Sequence, residues 1–165
     1  MPEIAKNKLE NEEDTQKDKF LTFALGSEVY GIEIKFVTEI IGIQSVTKIP
    51  DLPQYVKGII NLRGKIIPVI DVRLRFNKLY REYNDRTCIV VVDIKNVTLG
   101  LIVDSVEEVL TIVEQEIVLP PQFDHGNYQQ RFIKGIGKVG KSVKLILDSE
   151  RLLSDQEMNS LEQVC

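Results

Sequence analysis

The sequence predicts a mainly β protein made of two packed modules of about five strands each, with short helical turns and a helix at the end. Three observations carry this. Apolar, β-branched runs alternate with turn residues along most of the chain. The pattern starts afresh near Cys88 and runs through a second time. A helix-capping signal follows the last strand, at Ser154 and Glu157.

Order is expected to begin near Phe20. From Phe20 to Leu25, the residues Leu21, Phe23 and Leu25 share one face, and Gly26-Ser27 reads as a two-residue hairpin turn into a strand over Val29 to Ile34. Val37, Ile40 and Ile41 form a short stretch that fits a helix or a strand equally. Pro50 and Pro53 mark a loop. Val56 to Leu62 and Lys65 to Ile70 are two strands joined at Arg63-Gly64, and Asp71 to Phe76 is one helical turn. In the second pass, Cys88 to Val92 and Val97 to Val103 flank a turn at Lys95-Asn96, and Val106, Val109 and Leu110 follow. After a loop at Pro120-Pro121 come strands over Phe132 to Ile136 and Val143 to Leu147, then a helical turn from Asp148 to Leu153. In the final helix Leu153 and Met158 fit a hydrophobic staple, and Leu161 and Val164 continue the apolar stripe.

Residues 20–41 fall on 89–110 without a gap, and both hairpin turns coincide. Lys57-Gly58-Ile59 then meets Lys134-Gly135-Ile136, Asp71 meets Asp148, and the second half carries a longer middle loop around Phe123 to Gln130. The expected organisation is a disordered tail over 1–18 and a body over 19–153, with terminal helix 154–165. The body divides at about 20–86 and 87–153, with room for strands to exchange at the boundary. Small twisted sheets of this kind tend to close on themselves, which hides their edges. Two such modules share an apolar core and leave a groove between them.

Composition narrows the function. The charged residues are 25 acidic and 21 basic, for a net charge of −4, so the basic surface of a nucleic-acid binder is missing. Met1 to Lys19 is densely charged and carries no secretory signal, and no apolar stretch reaches the length of a membrane helix. Cys88 and Cys165 show neither metal-site nor disulfide spacing and suit a reducing compartment.

Four features could carry chemistry. Gly135 to Ser142 matches the phosphate-loop pattern GxxxxGK[ST] letter for letter. A phosphate loop must open a helix, whereas Val143 to Leu147 has a β pattern, so a hairpin is expected and nucleotide binding is the alternative. Asp71 and Asp148 occupy equivalent places and could form an acid–base pair; as the first residues of helical turns they are expected to cap free amides instead. His125 lies in a polar loop and Cys88 opens a strand, so a Cys–His nucleophile is not expected, and no metal or cofactor is implied. Arg63 sits at a turn between two buried strands, where the residues alone leave it between a plain surface charge and an interface anchor.

Residues 55–76 closely resemble the signature of the CheW family, the bacterial chemotaxis coupling proteins. Gly58-x-x-Asn61-Leu62-Arg63-Gly64 followed by Pro68-Val69-x-Asp71 is the most specific part. The resemblance extends from about Phe20 to Val164, through Tyr30-Gly31-Ile32, Val37-x-Glu39-Ile40, Tyr83-Asn84-Asp85 and Val103-Asp104-x-Val106. It implies two five-stranded SH3-like β-barrels and a non-enzymatic adaptor joining chemoreceptors, the methyl-accepting chemotaxis proteins, to the histidine kinase CheA. The expected location is the cytoplasm, at receptor arrays on the inner face of the membrane. In the family the receptor lies in the groove between barrels, which points to Val37, Glu39, Gly58 and Arg63, with Cys88 nearby. The chain has no room for the kinase of CheA or the receiver of CheV, so the stand-alone form is expected. Gly64, Asp71, Gly135, Asp148 and Ser154 are expected to serve turns and caps.

Overall fold

The computed structural model describes residues 16–120 and 131–164. Most of the tail over 1–18, the loop with His125, and Cys165 lie outside the described residues. The strands are β1 (Lys19–Leu25), β2 (Glu28–Glu33), β3 (Val37–Gly42), β4 (Val56–Leu62), β5 (Lys65–Asp71), β6 (Cys88–Ile94), β7 (Val97–Val103), β8 (Ser105–Thr111), β9 (Ile117–Val118), β10 (Ile133–Val139) and β11 (Ser142–Leu147). A helical turn, α1 (Val72–Arg75), follows β5, and α2 (Asp155–Val164) ends the chain. The ambiguous stretch at Val37 is strand β3, an edge strand whose alternation is broken by a bulge between Val37 and Glu39. Its counterpart β8 carries a bulge of its own, where Glu107 and Glu108 lie opposite the single residue Thr22 of β1. There the Thr22 hydroxyl donates to the Glu108 carbonyl and accepts the Glu108 amide, so its burial leaves no polar atom idle.

The line at 86/87 divides the repeats in sequence, but the sheets divide differently. One sheet runs β8-β1-β2-β11-β10-β9 and the other β3-β6-β7-β5-β4. Each therefore takes its first hairpin from the opposite half of the chain. Hairpin β1–β2 joins the second half through the parallel pair β2–β11, and β6–β7 joins the first through the parallel pair β5–β7.

Alternation decides which residues meet between the sheets. Leu21, Phe23 and Leu25 of β1 and Tyr30 and Ile32 of β2 face Val90, Val92 and Ile94 of β6 and Leu99 and Leu101 of β7 in one shared core. The opposite faces line two smaller cores, Ile67, Val69, Ile89 and Val91 in one sheet and Phe20, Ile112 and Ile146 in the other. A row of aromatic rings crosses the shared core, from Phe23 to Tyr30 (5.7 Å), to Phe76 (5.3 Å), to Phe132 (5.1 Å). Each such pair adds about 1 kcal/mol beyond its burial.

Neither sheet is a closed barrel, contrary to the expected form, because no ladder joins its two edge strands directly. The strand that would seal each gap is the same chain turning a corner. In the six-stranded sheet, β8 at one edge continues through residues 112–116 to β9 at the other, where Val118 pairs with Ile136. In the five-stranded sheet, β3 continues to Thr47, which exchanges both amide bonds with Ile59 of β4 at 2.9 Å. Backbone groups at the corner go to turns, as in the Glu116 amide bonded to the Val113 carbonyl (2.8 Å). Each returning arm passes over a glycine. A β-carbon on Gly58 would lie 2.0 Å from the Thr47 carbonyl oxygen, and one on Gly135 would lie 2.5 Å from Ile117 Cγ2.

Helix α2 docks through a network built on Glu157. Ser154 and Glu157 form the expected capping box, with the Ser154 amide on Glu157 Oε1 (2.9 Å) and the Glu157 amide on Ser154 Oγ (3.1 Å). Leu153, Met158 and Leu161 are buried in the shared core, in keeping with the staple. Arg75, buried between the rings of Tyr55 (4.5 Å) and Phe132 (5.0 Å), donates to Glu157 Oε1 (2.9 Å) and to the Leu152 carbonyl (2.6 Å). The Tyr55 hydroxyl donates to Glu157 Oε2.

Two outcomes follow from this packing. Gly58→Ala should destabilise by about 3 kcal/mol, since backbone blocks the new methyl, and Gly135→Ala by about 1 kcal/mol, since the Ile117 side chain can give way. Urea unfolding of both variants checks this, and equal losses would contradict the geometry. For Glu157, burial pushes the carboxyl up, but the Tyr55 hydroxyl, the Ser154 amide and the Arg75 charge outweigh that and hold it below its usual 4.5. Its stabilising share is whole above that value and is lost as pH falls through the lower folded-state one. Glu157→Gln should therefore melt below the parent near neutrality, with the gap narrowing as pH falls to about 3. Thermal midpoints across that range decide it, and a constant gap would show that the charge is not the source.

Candidate functional site

Strands β4 and β5 pair to the end, with Leu62 opposite Lys65, so Arg63 and Gly64 are the two central residues of a tight turn. Both have positive φ, 51° and 86°, as a type I′ turn requires. Gly64 adopts this freely, and its amide donates to Asn61 Oδ1 at 2.8 Å. The Arg63 side chain is 72% exposed, and its Nη2 pairs with Glu39 Oε2. Glu39 lies on β3, at the far edge of the sheet from β4, so the ion pair joins the two edges where the sheet curls. The other carboxylate oxygen, Glu39 Oε1, is buried with no hydrogen bond among the described residues.

The remaining residues of the expected groove are placed differently. Val37 lies two positions from Glu39, opposite Val92, half-buried against the shared core. Cys88 opens the neighbouring strand opposite Gly42 and also rests on that core, about 13 Å along β6 from Val92 by strand rise. Its thiol donates to the Arg86 carbonyl (3.4 Å). Gly58 is buried beneath the Thr47 arm. The structure thus brings Glu39 and Arg63 together, turns Val37 toward the shared core, and leaves Gly58 a backbone role and Cys88 at a distance. The space between the sheets is a filled core, and Val37 and Cys88 sit at its rim.

The capping residues divide. Asp71 Oδ1 accepts the Leu74 amide (3.3 Å), as expected of a cap, and its buried Oδ2 accepts the Tyr83 hydroxyl (2.7 Å). Burial first, and then this bond to Asp71, push the Tyr83 phenol well above its ordinary range. Asp148 departs from expectation. Its turn (Ser149–Arg151) receives no side-chain cap among the described residues, and its carboxylate pairs with Arg151 at 3.4 Å. Gly135 to Ser142 is the hairpin β10–β11, turning at Gly140-Lys141 with strand on both sides. A phosphate loop needs a helix after Ser142, and strand β11 stands there, so the nucleotide alternative falls.

Sequence reading placed Asp104 in the family motif without its contacts and gave Arg75 no part. Asp104 accepts the Gly26 amide (2.7 Å), two bonds from Arg73 (2.7 and 2.6 Å) and one from Arg81 (3.1 Å), tying the β1–β2 turn to α1. Burial pushes its carboxyl up, and Arg73, the Gly26 amide and Arg81 together bring it below its ordinary value. An acidic residue after a strand and an arginine in a helical turn are common in sequence, and nothing local marks Arg73 as the partner of Asp104 or Glu157 as that of Arg75.

These features define a two-sheet β scaffold that presents an arginine, tethered at one end, on a hairpin turn. The CheW-like domain family matches residues 19–157, and the chain belongs to it. It is 36% identical over 151 residues to the chemotaxis protein CheW of Klebsiella aerogenes, covering 92% of this chain and 90% of that one. Against the chemotaxis protein CheW of Treponema pallidum it is 35% identical over 147 residues, 87% of this chain and 86% of the relative. The crystal structure of the scaffolding protein TtCheW from Thermoanaerobacter tengcongensis superposes with a TM-score of 0.78 at 39% identity, covering 86% of this chain and 97% of that chain. The family resemblance and the mainly β fold read from the sequence both stand. Among the described residues, no helix is long and apolar enough to cross a membrane.

An ion pair this exposed contributes little to stability. A double-mutant cycle on Glu39→Ala and Arg63→Ala should give a coupling below about 1 kcal/mol in urea unfolding. A coupling several times larger would mark the pair as a structural clamp.

Proposed function

We propose that the chain is a non-enzymatic adaptor that couples transmembrane chemoreceptors to the histidine kinase CheA, working in the cytoplasm at receptor arrays on the inner face of the membrane. Membership of a family whose relatives are named chemotaxis and scaffolding proteins supports the role. The observation that carries the receptor contact is the Glu39–Arg63 pair. Nη2 is occupied by Glu39, while the mostly exposed guanidinium keeps further donors for an acceptor on the tip of a receptor's helical hairpin. Such a residue is costly to lose from an interface and cheap to lose from the free protein. The idle Glu39 Oε1 fits this reading, because unsatisfied polar atoms gather where function outweighs stability.

Arg63→Ala should weaken binding of a purified chemoreceptor hairpin fragment by about tenfold or more, with the thermal midpoint nearly unchanged and CheA binding retained. Titration calorimetry with the receptor fragment and with CheA reads both arms. Receptor binding equal to the parent's would remove Arg63 from the interface and the proposed site with it.

A further inference from the structure

We infer that Asn61 is the positioning residue for Arg63, holding the β4–β5 turn in the shape that presents the guanidinium. The inference rests on the reading of Arg63 as the receptor anchor. Arginine at φ 51° occupies a region that a β-carbon disfavours, and although Lys95 holds the same φ in the β6–β7 turn, outside support makes the shape at Arg63 more persistent. Two contacts supply it: Asn61 Oδ1 on the Gly64 amide at 2.8 Å, and Glu39 on the guanidinium.

Comparison of the two repeats shows that this support is local. The alignment of Gly58 with Gly135 sets Arg63-Gly64 against Gly140-Lys141 and Asn61 against Lys138. In that second hairpin only Gly140 has positive φ, at 59°, so the repeat does not itself demand the turn shape seen at Arg63. Lys138 carries no acceptor and cannot hold an amide as Asn61 does. Glu39 falls on Glu108, whose aligned turn offers no arginine. Of these two aligned hairpins, only the one that carries the arginine has an acceptor at the Asn61 place. A turn held before binding loses less freedom on binding, so Asn61 acts on affinity without touching the partner.

The test uses the full chain and a purified chemoreceptor hairpin fragment, with CheA binding as a check on folding; Asn61 is exposed, so its variants should fold. Asn61→Ala should weaken receptor binding by about three- to tenfold. Asn61→Asp, which keeps the accepting oxygen, should bind within about twofold of the parent. In an Arg63→Ala background, Asn61→Ala should add nothing. If Asn61→Ala binds like the parent while Arg63→Ala is weakened, the positioning role is wrong and the anchor stands. The same role is overturned if Asn61→Ala brings its full loss without Arg63. Parental binding by Arg63→Ala itself would overturn the anchor reading, and this inference with it.

Discussion

The molecule is held as one body by the exchange of hairpins between its two halves. The β1–β2 hairpin is bonded to β11 and the β6–β7 hairpin to β5, each through a parallel pair. Parallel neighbours need a long connection, and here residues 72–96 connect β5 to β7 and residues 34–141 connect β2 to β11. Neither half can therefore complete its sheet alone, and the shared core forms only when both are in place. A lone five-stranded module would bury too small a share of its surface to be secure. The exchange turns two such modules into a single core crossed by the aromatic row from Phe23 to Phe132.

Within that frame the repeats are close to equivalent in backbone and unlike in what they present. Both have an arm that crosses a glycine, over Gly58 in one and Gly135 in the other. Both have a glutamate at the same place on an edge strand, Glu39 and Glu108. Only the first puts an arginine on the facing turn. The ion pair that results spans the open seam of the five-stranded sheet, where β3 and the β4–β5 turn come together without a ladder. The seam exists because the chain closes the sheet at a corner, so the candidate site is a consequence of how the barrel fails to seal. Arg75 and Glu157 do a comparable task elsewhere, fastening α2 over the shared core with a buried guanidinium.

Much of this was legible in sequence. Strands β4 and β7 fell within the residues their apolar runs marked, and the turns at Gly26, Arg63 and Lys95 were visible from residue type. The capping box at Ser154 and the cap at Asp71 were readable because a cap is a contact between near neighbours. Asp148 misled because equivalence in a repeat carries over the backbone position and not the side-chain partner. Strand β3 was ambiguous because an edge strand with a bulge shows no clean period. Of the site, Glu39 and Arg63 were named, but their contact was not visible, since 24 residues separate them in the chain.

By itself the sequence determined the local and periodic features: strand alternation, turn chemistry, the terminal cap, the repeat and the family signature. All of these depend on residues within a few positions of one another or on a pattern copied along the chain. Tertiary structure decided which hairpin enters which sheet, that bent arms bridge the gap each sheet leaves, and that Glu39 meets Arg63 while Cys88 does not join them. Those outcomes depend on side chains from distant segments competing for one core, and no local pattern records which of them win.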